Sequence, residues 1–189
     1  MTSQRLTRPH ALSPSQARRL EQFEFRGRRP LPLFEAMAHS PAALEDLATG
    51  TECSISRSTL PLRQREILIL RTLARWNARA EWDVHLVLYM SVAPLSLAEV
   101  ERLGGGSNFI AWSAEERLLI DVADCLRDRA ELPDNLWSAL SFLFSAEQCA
   151  EIVMIATQYI KIALMTRVLA IPSQQPAGPG IAFSKEVSP

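Results

Sequence analysis

Two ionisable side chains in the middle of the chain have the types and the spacing that acid/base chemistry requires. Glu81 and His85 are four residues apart in the segment Ala80-Glu81-Trp82-Asp83-Val84-His85, so on a helix they share one face. A carboxylate beside an imidazole fixes which ring nitrogen carries the proton, and such a pair is the minimum for a general acid or base near neutral pH. The alternative is an ordinary ion pair on a helix surface.

A second carboxylate lies upstream, within the apolar stretch from Leu62 to Arg71. Glu66 in such surroundings must be paired or protonated if it is buried. Two antiparallel helices joined at Trp76-Asn77 would bring Glu66 towards His85. The alternative is an ion pair on the same helix between Glu66 and Arg63.

The elements that would position these residues all carry helix signals. Capping boxes, in which a serine is followed three residues later by Glu or Gln, begin at Ser13, Ser96, Ser113 and Ser145. Further helices are predicted from Ser40-Pro41 to a stop at Gly50, from Pro61 to Arg75, from an N-cap at Asn77 to Ala93, and from Ala146 to Ala170. No stretch has the period-2 alternation of a half-buried strand. The sequence therefore predicts an all-α fold.

Composition excludes several classes of function. The chain has 189 residues, 48% of them hydrophobic and 22% charged, which excludes wholesale disorder. A net charge of −1 argues against a nucleic-acid binder, because such proteins neutralise phosphates with excess basic charge. Cys53, Cys125 and Cys149 are widely spaced, which predicts reduced, buried thiols and no disulfide framework or zinc site.

The chain offers no targeting or membrane signal of the usual kind. The longest apolar stretch, from Ile152 to Met165, is interrupted by Gln158 and Lys161, and the N-terminus lacks the apolar core of a signal peptide. We therefore expect a cytoplasmic protein with no membrane partner.

Three regions are expected along the chain. Residues 1–33 are rich in proline and arginine and predict a basic arm with one helix, residues 34–171 predict the helical domain, and residues 172–189 predict a flexible tail. The run Gly104-Gly105-Gly106-Ser107-Asn108 is interpreted as a connector. It follows a helix and lacks the Lys-Ser/Thr of a phosphate-binding loop.

The residues around the candidate pair also carry a family resemblance. The segments are Pro61-Leu62-Arg63-Gln64-Arg65-Glu66, Glu81-Trp82-x-x-His85, Leu95-Ser96-x-x-Glu99 and Trp112-Ser113-x-x-Glu116, with Trp137 and Tyr159 following in order. Over residues 35–170 the chain resembles the carboxymuconolactone decarboxylase family, whose superfamily includes the alkylhydroperoxidase D-like proteins. The resemblance implies a bundle of about seven or eight helices that assembles as a homotrimer or homohexamer, with the site near the subunit contacts.

The peroxidase branch of that superfamily uses a CxxC pair, a histidine four residues after the second cysteine, and an upstream glutamate. Alignment on His85 puts Ala78 and Glu81 at the two cysteine positions and Glu66 at the upstream glutamate. Dithiol peroxide reduction needs one thiolate to attack and another to resolve. Because both sulfurs are missing, we disfavour the peroxidase alternative.

The resemblance then implies a carboxy-lyase that needs no cofactor or metal and acts on a small carboxylated or lactone-like molecule, as in aromatic compound catabolism. In this hypothesis His85 donates the proton and Glu66 and Glu81 orient and tune it. Arg71 binds a substrate carboxylate, while Trp82 and Tyr159 line the pocket. Two other interpretations stay open: a non-catalytic binding module on the same fold, and a metal site whose ligands would be Glu66, Glu81 and His85.

Overall fold

The computed structural model describes residues 3–25, 29–106 and 110–173, and these ranges are predominantly helical. The helices in them are α1 Pro14–Glu21, α2 Pro32–Met37, α3 Pro41–Ile55, α4 Leu62–Arg75, α5 Arg79–Tyr89, α6 Leu97–Leu103, α7 Ala114–Arg129, α8 Asp134–Leu143 and α9 Ala146–Val168. Two short antiparallel strands, β1 Glu24–Phe25 and β2 Arg29–Pro30, pair Glu24 with Pro30 and Phe25 with Arg29. The predicted all-α class is confirmed.

Side-chain caps start most of the predicted helices as expected. Ser13, Ser96 and Ser113 each accept from the backbone of the third helical residue, whose own side chain accepts from the serine backbone. Ser145 and Gln148 make the same reciprocal bonds, at 3.1 and 3.2 Å. These four predicted helix starts are confirmed.

Three predicted helix boundaries are wrong. Helix α3 continues through Gly50 to Ile55, because buried side chains on both sides of the glycine outweigh its cost of about 1 kcal/mol in a helix. Asn77 has a φ of 52° and is not an N-cap, and α5 begins after Ala78. Helix α5 also ends at Tyr89, four residues short of Ala93.

Two short helices were not predicted. Helix α2 begins at Pro32, at the end of the predicted arm, and a proline in the first turn suits the start of a helix. Helix α8 follows Pro133, which makes no side-chain cap. The described ranges therefore hold nine helices, one more than the upper expectation.

The described chain forms two compact units, and α9 contributes to both. The first unit lies within Met1–Ser58 and Met165–Pro172, so the boundary predicted at residue 33 falls inside it. Leucines from α1, α2 and α3 are buried in this unit, and Arg19 of α1 bonds to Glu45 of α3 at 3.1 Å.

Among the described residues, the second unit lies within Thr59–Leu164 and includes Ser173, and it contains all the candidate site residues. Helix α4 is central to it and packs on α5, α6 and α7. Four successive residues of α4, Ile67 to Leu70, are fully buried, which is the pattern of a helix surrounded on all sides.

Arg63 fixes the start of α4 against two neighbouring helices. Its guanidinium lies 2.5 Å from Glu99 of α6 and 2.5 Å from Glu116 of α7, and it also donates to the carbonyl of Pro94. The hydrogen bond from Arg63 lowers the pKa of Glu99 to about 2. These ion pairs set where α4 presents its remaining side chains.

Two predictions concern segments that the structure describes only in part. Gly104 ends α6 and Gly105 has a φ of 100°, as a connector requires, whereas Ser107 and Asn108 lie outside the described residues. The predicted tail lies outside them after Ser173.

One described helix, α9, is long and apolar enough by length and composition to cross a membrane. Half of its most apolar stretch is buried inside the protein. Core helices of soluble proteins can have the same length and composition, so this helix is weak evidence for a membrane span.

Candidate functional site

Helices α4 and α5 bring the three predicted ionisable residues together in the second unit. Glu66 comes from the middle of α4, and Glu81 and His85 come from successive turns of α5. A turn at Trp76 and Asn77 separates these two helices, which pack against each other. Glu66 is 1% exposed, His85 3% and Glu81 8%. The surface-pair alternative is therefore wrong, because the pair is buried.

Both nitrogens of the His85 ring face a carboxyl group. Nδ1 lies 2.8 Å from Oε2 of Glu66, within hydrogen-bond distance, and Nε2 lies 3.9 Å from Oε1 of Glu81. A carboxylate accepts the Nδ1–H, so the neutral imidazole keeps its proton on Nδ1. Nε2 is then the nitrogen that can give or take a proton.

Arg65, which was not among the predicted site residues, supplies positive charge to the buried cluster of Glu66, Glu81 and His85. Its Nε lies 3.3 Å from Oε1 of Glu66, and its guanidinium lies 5.6 Å from the centre of the Tyr89 ring. The alternative pairing of Glu66 with Arg63 is wrong, because Arg63 binds Glu99 and Glu116. Arg65 and Glu66 are adjacent in the sequence, and adjacent side chains on a helix usually point apart. The sequence signal for their pairing is therefore only the apolar stretch around them, in which a charged group needs a partner.

Two tyrosines enclose the imidazole. The ring of Tyr159, from α9, stands edge-on to His85 at 5.0 Å, and the ring of Tyr89 lies 5.3 Å away, one turn along α5. Burial raises the pKa of Tyr159 well above its ordinary value and also raises that of Tyr89. Both phenols therefore stay protonated near neutral pH and can act as hydrogen-bond donors.

Burial also changes the chemistry of Glu81. The loss of hydration raises the pKa of this carboxyl group, and the nearby His85 offsets only part of the effect. A carboxyl group that keeps its proton to higher pH can return a proton to Nε2 of His85. The cluster thus pairs one carboxylate that orients the imidazole with one acid that can recharge it.

The raised pKa of Glu81 makes the stability of the protein depend on pH. Since the folded protein holds this proton more tightly than the unfolded chain does, stability should fall as pH rises above the unfolded pKa of about 4.5. Glu81→Gln removes the titration, so its stability relative to wild type should increase with pH in chemical denaturation between pH 4 and 8. The other charged or titratable groups around Glu81 are on α4, α5 and α9: Arg65, Glu66, His85, Tyr89 and Tyr159.

Glu147→Gln on the exposed start of α9 is the control, and it should leave the pH profile unchanged. A stability difference between Glu81→Gln and wild type that is the same at every pH would contradict the assignment.

Two of the predicted substrate contacts, Arg71 and Trp82, have other places in the structure. Arg71 is placed elsewhere: it binds both oxygens of Asp124 on α7, at 2.6 and 2.8 Å, and donates to the carbonyl of Leu103. Trp82, on α5, is fully buried in the protein core. Of the predicted arginine and aromatic contacts, Tyr159 is the one that the described residues place against His85.

We expect Arg71 to act in stability. Arg71→Met should lower the free energy of unfolding by about 1–2 kcal/mol in urea, because it leaves Asp124 without its bidentate partner. Asp124→Asn should cost a similar amount, and neither should alter ligand responses at His85. Loss of a His85 response in a fully stable Arg71→Met variant would instead assign Arg71 to the substrate.

Sulfur and metal chemistry find little support at this site. Cys125 donates to the carbonyl of Glu131 and Cys149 to that of Phe144, so neither thiol of the second unit is bonded to His85. Among the described residues, no group of three or more His, Cys, Asp or Glu side chains has the geometry to hold a metal ion.

Comparisons with known proteins do not extend the resemblance. No family model, curated protein or solved structure matches this chain. What the protein does must therefore be inferred from the buried cluster itself.

Proposed function

We propose that this chain is a carboxymuconolactone decarboxylase-like enzyme that performs acid/base chemistry without a cofactor on a small carboxylated or lactone-like substrate. The proposal includes an alkylhydroperoxidase D-like bundle assembled as a homotrimer or homohexamer in the cytoplasm. Decarboxylation, or a related proton transfer at carbon, is the reaction that the polar residues suit best.

The observation that carries the proposal is the buried bond between His85 Nδ1 and Glu66 Oε2, at 2.8 Å. A buried imidazole held by a carboxylate on one nitrogen presents the other nitrogen in a fixed direction, which is how enzymes orient a general acid or base. Stability alone does not explain such a buried pair, because apolar side chains of similar size in its place would often make the protein equally stable.

The proposed reaction begins with His85 protonated on both nitrogens. The bond between the substrate carbon and its carboxylate breaks, CO2 leaves, and the electron pair moves onto a conjugated carbonyl oxygen. His85 then delivers its Nε2 proton to the carbon as the carbonyl re-forms, and the imidazole is left neutral with its proton on Nδ1. Glu81, 3.9 Å from Nε2, returns a proton and recovers its own from water.

The surroundings favour this sequence of steps. Arg65 places a positive charge beside Glu66, which keeps the negative carboxylate paired while His85 changes charge. His85 is buried and two tyrosine rings lie against it, so little water reaches the imidazole. Electrostatic interactions with a developing oxyanion are stronger where water is excluded.

The test is an activity screen of the purified full-length protein in D2O. The substrates are β-keto acids and carboxylated unsaturated γ-lactones, and the signals are CO2 release and deuterium incorporation at carbon, each corrected for the spontaneous rate. We expect catalysed release that survives thiol-blocking reagents. No release or deuterium incorporation above the spontaneous rate would contradict the proposal and favour the binding module. Loss of activity on thiol blocking, with hydroperoxide consumption, would favour the peroxidase.

A further inference from the structure

Gln158 of α9 is a buried polar side chain that the proposed reaction leaves unused. It is 7% exposed, and among the residues that the structure describes its Nε2 atom has no hydrogen-bond partner. A buried amide without a partner costs roughly 1–3 kcal/mol, so most proteins avoid one. A residue kept at such a cost is a candidate for contact with a ligand.

Two contacts show which part of α9 lies beside the cluster. Near the start of the helix, Glu151 accepts from the backbone N–H of Thr59, at 2.9 Å, just before α4 begins. Two turns later, the Tyr159 ring stands against His85, which is bonded to Glu66 of α4. Helices α4 and α9 therefore run in the same direction along this stretch.

Gln158 is seven residues, about two turns, beyond Glu151, so the two side chains share the face of α9 that meets the chain just before α4, and Gln158 lies at the level of His85 along the helix. The local electrostatics agree: Glu66, Glu81, Tyr89 and Arg65 all act on Tyr159. The turn of α9 that carries Gln158 therefore lies within reach of the charges on Glu66, Glu81 and Arg65.

We propose that Gln158 is a further substrate-binding residue, whose side-chain N–H donates to the substrate oxygen that becomes negative as CO2 leaves. This inference rests on the proposed function, since it assigns the binding contact of that same site. It also specifies the substrate class: the carbon that carries the departing carboxylate must be bonded to a carbonyl group, directly or through a C=C bond, and the oxygen of that carbonyl takes up the electron pair and accepts the hydrogen bond. Preorganised amide donors of this type stabilise oxyanions in enzymes because they need no reorganisation during the reaction.

The test separates binding from folding with two variants. Gln158→Met keeps the side-chain length and removes the unpartnered amide. Thr72→Val is the matched control: the Thr72 hydroxyl of α4 is also buried without a partner in the described chain, but it lies nearly two turns beyond Glu66. Both variants should be as stable as wild type or more so, because each replaces an unsatisfied polar group with an apolar one.

The readout is the ring-nitrogen resonances of His85 and the side-chain amide resonances of Gln158 by NMR, with acetate, maleate and γ-butyrolactone added. We expect both residues to respond to at least one probe in wild type. Gln158→Met should weaken that response about tenfold in dissociation constant, and Thr72→Val should leave it unchanged.

The outcomes distinguish the two proposals. If His85 responds with equal affinity in wild type and Gln158→Met, the assignment of Gln158 is wrong while the proposed site stands. If His85 responds to none of the probes, the proposed site and this inference both fail. A large loss of stability in Gln158→Met would show a structural role for the amide and would also overturn the inference.

Discussion

Replacing His85 by asparagine is expected to lower the catalysed rate about 100- to 10,000-fold, the usual contribution of a general acid. The asparagine amide nitrogen lies close to where Nδ1 of the histidine lies, so it can still donate to Glu66 and preserve the packing. It cannot deliver a proton to carbon. The measurement is CO2 release from the most active substrate of the screen, together with thermal unfolding of the same sample.

A second histidine provides the matched control for this experiment. His39 lies on the surface of the first unit and contacts the carbonyl of Thr7 at 2.9 Å. His39→Asn should therefore leave the rate unchanged. If His85→Asn folds normally and retains the wild-type rate, the imidazole is not the proton donor.

Replacing Glu66 by leucine is expected to have the largest effect on stability, a loss of about 3–4 kcal/mol in the free energy of unfolding. Leucine fits the apolar surroundings, but the change removes the carboxylate that both His85 and Arg65 contact inside the protein. Removing one partner of a buried charged pair costs more than the pair contributes, because the other charge stays out of water. Urea denaturation at pH 7 measures the change.

Glu66→Gln separates the two partners of this carboxylate. Its side-chain oxygen still accepts from His85 Nδ1, whereas the charge beside Arg65 is lost, so the expected cost is smaller, about 1–2 kcal/mol. A leucine variant as stable as wild type, or a glutamine variant less stable than the leucine one, would contradict the pairing described for Glu66.

The parts of the candidate site that could be predicted from the sequence are those that depend on residues of a single helix. The four-residue spacing of Glu81 and His85 follows from helical geometry alone, and the apolar neighbours of Glu66 indicated a buried carboxylate. The arginine that pairs with Glu66 could not be predicted, because Arg63, three residues away, shares a helix face with Glu66, whereas the adjacent Arg65 usually points elsewhere. Contacts between helices decide the outcome: α6 and α7 bind Arg63, which leaves Arg65 for the cluster.

Long-range contacts also explain the other differences. Arg71 resembled a substrate ligand in sequence, yet Asp124 lies far along the chain and no local pattern connects the two. Gln158 did leave a signal, as a polar residue that interrupts an apolar helix, but its lack of a partner is visible only in the packed protein. Gly50 is a helix stop by its local cost alone, and the packing of α3 that offsets this cost cannot be seen in the sequence.

The most direct test of the account is the tautomer of His85, measured from the ring nitrogen chemical shifts of the full-length protein labelled with ¹⁵N. Our account predicts that the neutral imidazole carries its proton on Nδ1, bonded to Glu66, and that the Nε2 resonance moves when a small carboxylate binds. In Glu66→Leu the preference for Nδ1 should weaken. A neutral imidazole protonated on Nε2 in wild type, with shifts that no carboxylate changes, would contradict the proposed acid/base site.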